Sequence, residues 1–269
     1  LLSTGCHIII GDGLKGTDDV SIPVEGGTLV KEAKIGKAIM DADVFISLSH
    51  FKGHEMTGFG GCFKNIGMGC GSRAGKMEQH NSGKPSVDQS VCVGCRVCSR
   101  NCAHDAISFP ERKAFIDHEK CVGCGRCLGA CNFDAINNEN SSAVKELNIK
   151  MAEYTKAVVS GRPAFHISLV IDVSPYCDCH PENDVPILPD VGMFASFDPV
   201  ALDQACADAC NAQQPVRGSL LDEHIHEEGF CDHHDHFTNT TPESEWETCL
   251  AHAEEIGLGS REYELIEVK

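Results

Sequence analysis

The sequence predicts an α/β fold, a sheet domain with helices interrupted by a small cysteine-rich insertion of α+β type. Three observations predict it. Apolar strand-like runs alternate with helical patterns in both flanks, residues 85–140 hold two dense cysteine runs, and those runs repeat each other. The expected division is 1–84 as the first part of the sheet domain, 85–140 as the insertion and 141–269 as the second part.

In chain order, His7–Ile10 reads as an apolar strand leading into Gly11-Asp12-Gly13-Leu14-Lys15-Gly16. That hexapeptide formally matches a dinucleotide fingerprint, but Thr17–Val24 is β-rich and contains Pro23, so the helix the motif needs is missing and a glycine turn is expected. Lys31–Ala42 places Ala33, Ile35, Ala38 and Ile39 at near-helical spacing and predicts a helix. Val44–Leu48 follows as a buried strand. Gly69–Lys76 is glycine-rich, yet its spacing and Met77 break the phosphate-loop pattern. Beyond the insertion, Ala143–Ser160 carries Val144, Leu147, Met151, Tyr154 and Val158 on one helical face, with Gly161 and Pro163 as its stop. A strand, Phe165–Val173, comes next. Asp198 before Pro199 predicts an N-cap and first helical position, opening a helix through Ala212 on which Cys206 and Cys210 pack as small apolar groups.

The cysteine runs carry the most specific chemistry. CVGCRVCSRNCAHDAI begins at Cys92 and CVGCGRCLGACNFDAI at Cys121, with nine of sixteen positions identical. Each copy reads C-x2-C-x2-C-x3-C, a spacing in which three thiolates reach one 4Fe-4S cubane while the fourth points to the other cluster. One cluster is therefore assigned Cys92, Cys95, Cys98 and Cys131, and the other Cys121, Cys124, Cys127 and Cys102. Zinc sites would instead need tetrahedral sets, commonly from two separated C-x2-C pairs. Gly94 and Gly123 precede the second ligand of each run, where backbone must approach sulfur, and Ile107 and Ile136 are expected against the cubanes. Ile107–Phe109 and Ala114–Asp117 flank a hairpin turn at Pro110-Glu111-Arg112-Lys113. This segment resembles a bacterial-type two-cluster ferredoxin domain, except that the proline usual after the fourth cysteine is Ala103 in one copy and Asn132 in the other.

Of seventeen cysteines, eight fall in the two runs with cluster spacing, which implies reduced thiols and a cytoplasmic setting. The net charge of -18 opposes nucleic acid and anionic lipid and would speed encounter with a basic redox partner, although solubility explains it equally well; the expected partner is a redox protein, a ferredoxin or an oxidoreductase subunit. No apolar run approaches the roughly 20 residues that span a bilayer, so no membrane insertion is expected. The first residues are Leu1-Leu2 rather than Met, which suggests a fragment or processed product.

Two flanking segments hold further candidates. SHFKGHEMTGFGGCFKN, Ser49–Asn65, starts where a strand ends, the usual place for sites in open α/β sheets. There His50 and His54 are candidate proton-transfer groups or ligands, Lys64 a candidate anion contact, and Gly58, Gly60 and Gly61 a candidate backbone nest. After the strand Phe165–Val173 come Asp172 and Tyr176-Cys177-Asp178-Cys179-His180, where Cys177, Cys179 and His180 are candidates for a third metal, or simply reduced surface groups. His224, His226, Cys231, His233, His234 and His236 read as a solvated polar stretch.

Taken together, SLSHFKGHEMTGFGG, KNIGMGC, SRAGKMEQH, PYCDCH, SFDPVALDQACADAC and EEIGLGSREYELI resemble the uncharacterised iron–sulfur proteins grouped as a domain of unknown function with an inserted ferredoxin pair. The resemblance implies an α/β domain interrupted by the clusters, an anaerobic bacterial or archaeal source, and an N-terminal part missing from this chain. It supplies no substrate. The expected function is electron transfer through two 4Fe-4S clusters to a redox site in the surrounding domain, as in a ferredoxin-linked oxidoreductase, with room for a flavin or third metal. The alternatives are a carrier or adapter subunit of a larger oxidoreductase, and clusters that are structural or sense oxygen.

Overall fold

A computed structural model describes residues 5–80, 82, 84–121, 123, 127, 130, 131, 133, 135–137, 142–178 and 184–268. Its arrangement is mixed α/β, with short sheets and packed helices. The centre is a three-stranded sheet in the order β11–β10–β3, formed by β3 (Phe45–His50), β10 (Ala164–Val170) and β11 (Gly192–Ser196). β3 and β10 run parallel with Phe45 opposite Ala164 and His50 opposite Leu169, while β10 and β11 are antiparallel. The chain reaches β10 from β3 through the whole cysteine-rich segment and then helix α4 (Ala143–Val159), so both flanks build one sheet.

Two expectations for the first flank are corrected. His7–Ile10 is not a strand: Ile8, Ile9 and Ile10 are exposed, and the chain turns at once where the Gly13 amide donates to the Ile10 carbonyl. Lys31–Ala42 is not one helix either. Glu32–Gly36 forms β2, antiparallel to β1 (Asp19–Pro23) with Val20 opposite Ile35, and only Lys37–Met40 is helical (α1). Ala33 and Ile35 are wholly buried and two residues apart, the period of a strand, whereas Ala38 and Ile39 had supplied the helical spacing.

The strand expected as buried over Val44–Leu48 forms as β3 but leaves Ile46 and Leu48 exposed, because its inward positions go to Ser47 and Ser49; the helices of the second flank follow the sequence closely. α4 buries Leu147, Met151, Tyr154 and Val158, and ends where Arg162 and Gly161 turn the chain into β10. α5 (Pro199–Asn211) is capped by Asp198, whose carboxylate accepts from the Val200 and Ala201 amides, and both Cys206 and Cys210 lie buried on its inner face. Burial pushes both thiols well up, Cys210 to about 12. The main core joins β2, α4, α5 and the C-terminal helix α8 (Glu247–Glu255) around Phe51, Phe59, Phe63 and Phe237.

The cysteine-rich segment closes on itself. β6 (Ser86–Val87) pairs antiparallel with β9 (Ile136–Asn137), and β7 (Ile107–Ser108) with β8 (Phe115–Ile116), across a turn at Pro110–Arg112. It carries a second small core, distinct from the main one, built from Cys98, Ala114, Ile116, Cys127 and Ile136.

The central sheet inverts the usual pattern. Its inward face holds the buried polar groups Ser47, Ser49, His166 and Ser168 beside Val170, Phe45 and Phe194, while Ile46, Leu48 and Met193, with Phe197 just past β11, stand exposed on the other face. Alternation normally hides the apolar row, because that is the row worth removing from water. Among the described residues no helix is long and apolar enough to cross a membrane.

Candidate functional site

The parallel pair places the ends of β3 and β10 side by side, and the two candidate segments leave from those ends. Phe51 donates its amide to Leu169, and Gly53, on β4 (Lys52–His54), donates to Ser174 at 2.8 Å. A Cβ at Gly53 would lie 2.2 Å from the Pro175 carbonyl oxygen, so only glycine lets β4 run this close to the second segment. The result is a cleft of about 800 Å3 lined by His50, Glu55, Asp172, Tyr176, Cys177, Asp178 and Asp184. Such a volume suits a small organic molecule.

His50 anchors one wall. Its Nδ1 lies 2.8 Å from Asp178 Oδ2 and its Nε2 2.8 Å from the Ile171 carbonyl oxygen, and both partners only accept. Lys52 Nζ lies 3.2 Å from the same Asp178 carboxylate. Burial works against the Asp178 anion, but the His50 hydrogen bond and the Lys52 charge outweigh it and hold the carboxyl below its ordinary range.

Cys177 also lines the cleft, 7% exposed, and receives the Lys64 ammonium on Sγ at 2.7 Å. An ammonium donating to sulfur is the arrangement that favours a thiolate. Lys64 is fixed by the helical turn Lys64–Met68, whose leading amides, Cys62 and Phe63, donate to the buried Asp203 of α5 at 2.7 and 2.9 Å. Burial pushes Asp203 up to about 7 against those amides. Alkylation of Cys177 should slow about tenfold in Lys64→Met, measured by peptide mass spectrometry after a timed iodoacetamide pulse. An unchanged rate would remove the lysine from thiol activation.

The structure therefore gathers His50 and Cys177, with Asp172, Tyr176 and Asp178, at one cleft, and Lys64 reaches it only through its contact with Cys177. His54 is not among its lining residues: it is buried at the end of β4, its Nδ1 accepting from the Met56 and Thr57 amides at 3.0 and 3.1 Å. Burial first, then the Lys64 charge, pulls its pKa down to about 3, so it stays neutral and braces the turn into β5 (Gly58–Gly60). Cys179 and His180 lie outside the described residues, as does Cys124. Among the described residues no three His, Cys, Asp or Glu side chains converge to hold a single metal ion. Lys52, Glu55, Asp184 and Asp203 escaped sequence reasoning. A lone carboxylate on the apolar face of the helix after Asp198 is the signal that could have exposed Asp203.

In the cysteine-rich segment, Cys92, Cys95, Cys98 and Cys131 line one small cavity with Phe109, Ala114 and Ile136. Gly94 has φ +70°, and a Cβ there would lie 2.0 Å from the Arg112 carbonyl oxygen. The Ala114 amide donates to Cys92 Sγ and the Gly123 amide to Cys121 Sγ, each at 3.4 Å.

Fold and cleft define a class: a mixed α/β protein whose parallel strand pair carries a His–Asp and Lys–Cys site at its carboxyl ends, with a cysteine-rich unit closed between the two flanks. The chain belongs to the family described as a domain of unknown function, DUF362, whose model matches residues 2–208. No curated protein and no solved structure matches it.

Proposed function

We propose that this chain is an iron–sulfur electron-transfer protein that binds two 4Fe-4S clusters and feeds electrons to the cleft between His50 and Cys177. One observation carries the reading: three cysteines of the first run and the last of the second line a single cavity, the crosswise set that a two-cluster ferredoxin-like insertion requires. A cubane keeps its four thiolates spread around a cavity instead of drawing them to a point. The apolar wall and the amides directed at Cys92 and Cys121 fit such a group. The second set is Cys102, Cys121 and Cys127 with Cys124. Bound clusters would supply one-electron reduction, commonly near about -400 mV.

At the cleft, this chain's own residues bind and orient a small polar substrate. His50 holds a proton against Asp178, Lys64 holds Cys177 as a nucleophile, and Tyr176 offers a further hydroxyl. The reaction class is ferredoxin-linked reduction in a reducing cytoplasm, with a basic redox protein as donor. Anaerobically purified chain should contain about eight iron and about eight acid-labile sulfide. Zinc without sulfide would overturn the cluster assignment. Substrate reduction from a viologen donor should fall in His50→Ala and in Cys177→Ser.

The exposed apolar sheet face favours a second reading, a carrier or adapter subunit of a larger oxidoreductase. In that case electron exchange persists unchanged in both variants and a partner co-purifies.

A further inference from the structure

Two glycine-rich motifs fail their sequence patterns separately, yet the fold brings them together. The turn Gly11–Gly16 packs on the start of α2 (Arg73–His80): the Asp12 carboxylate accepts from the Arg73 amide at 3.1 Å, and Gly16 lies so close that a Cβ there would touch Arg73 Cβ at 3.0 Å. Between this corner and the Ala103–His104 turn is a cavity of about 310 Å3. Its lining includes Arg73, Lys76, Met77 and His80, which follow i, i+3, i+4, i+7 and so form one face of α2.

The charge there runs against that of the whole molecule. In a chain of net charge -18, this cavity presents a guanidinium and an ammonium one helical turn apart, with His104 across the gap. Among the described residues neither Arg73 nor Lys76 has an ion-pair partner; the Asp12 carboxylate is taken up by a backbone amide. Burial, followed by the charges of Lys64 and Lys150, lowers the pKa of His80, so this side chain adds no charge of its own at neutral pH and the cavity's charge rests on Arg73 and Lys76.

We infer that this cavity is a binding site for a small phosphate-bearing anion, held by Arg73 and Lys76 with His104 closing the far side. A dianion matches two cations, and the planar Arg fork matches paired phosphate oxygens better than a single charge would. At the low end of ligand-site volumes, the cavity takes a phosphate monoester or diphosphate group and not a whole dinucleotide. The site does not rest on the proposed clusters, although its far wall follows directly after Cys102.

The test is isothermal titration of the full chain with inorganic pyrophosphate, with and without bound iron. One-to-one binding at about submillimolar Kd is expected, weakening about tenfold in Arg73→Gln and again in Lys76→Gln. Both side chains are exposed, and unchanged thermal midpoints would show that the variants fold. Absence of one-to-one binding at about millimolar pyrophosphate, or binding that both substitutions leave intact, would overturn the assignment. So would equally tight binding of malonate, which carries the charge without the phosphate. An anaerobic preparation that never contains iron yet binds pyrophosphate would strike the cluster reading alone.

Discussion

Glu153→Gln is expected to destabilise the fold by about 3–5 kcal/mol, read as a fall in urea midpoint with an unchanged slope. Glu153 is wholly buried on α4, and its two carboxylate oxygens accept from the Thr28, Leu29 and Val30 amides and the Thr28 hydroxyl, with His252 Nε2–H donating at 3.0 Å. Five donors converge on one anion, tying the loop before β2 to α4 and α8. Glutamine turns one acceptor into a donor facing donors, leaving buried amides unsatisfied. Burial opposes the Glu153 anion, but the Thr28, Val30 and Leu29 donors outweigh it and lower its pKa. A depressed folded pKa gives stability that is present above the unfolded value, about 4.3, and is lost as pH falls through the folded one. The gap between wild type and Glu153→Gln should therefore be full at pH 7 and narrow in strong acid. A gap independent of pH would mean the carboxylate charge is irrelevant.

Cys131→Ser should remove about half of the iron, and the cluster lost should be the one that Cys92→Ser also removes. Cys131 belongs by sequence to the second run but lines the cavity of Cys92, Cys95 and Cys98. Cys102→Ser should correspondingly reproduce Cys121→Ser. Paramagnetic resonance of the reduced protein separates the pairs: Cys131→Ser and Cys92→Ser should leave the same residual signal. If Cys131→Ser matched Cys121→Ser instead, the crosswise ligation would be wrong while two clusters could remain.

Strong local signals survived into the structure because no tertiary contact competed with them. Asp198-Pro199 caps α5 as its residue types dictate, and the apolar face of α4 is long enough to leave little choice of period. The hairpin at Pro110–Arg112 was equally local. Lys31–Ala42 failed because the deciding contact, pairing with Asp19–Pro23, lies outside any short window. The candidate cleft was legible in outline: both segments begin where strands end, and the parallel register of β3 and β10 brings them together. Its electrostatics were not legible. Lys52 and Asp203 act through partners over a hundred residues away in sequence, Asp178 for one and Cys62 for the other, and no spacing rule encodes such pairs.

The inverted sheet has a colloidal consequence. A patch carrying Ile46, Leu48, Met193 and Phe197 favours contact with a second copy, and the net charge of -18 on each molecule opposes it. Repulsion of that kind reaches only about 10 Å at 0.1 M salt and about 3 Å at 1 M. Salt would thus act on this chain as a control of self-association, quiet when dilute and sticky when concentrated, with the sheet face as the contact.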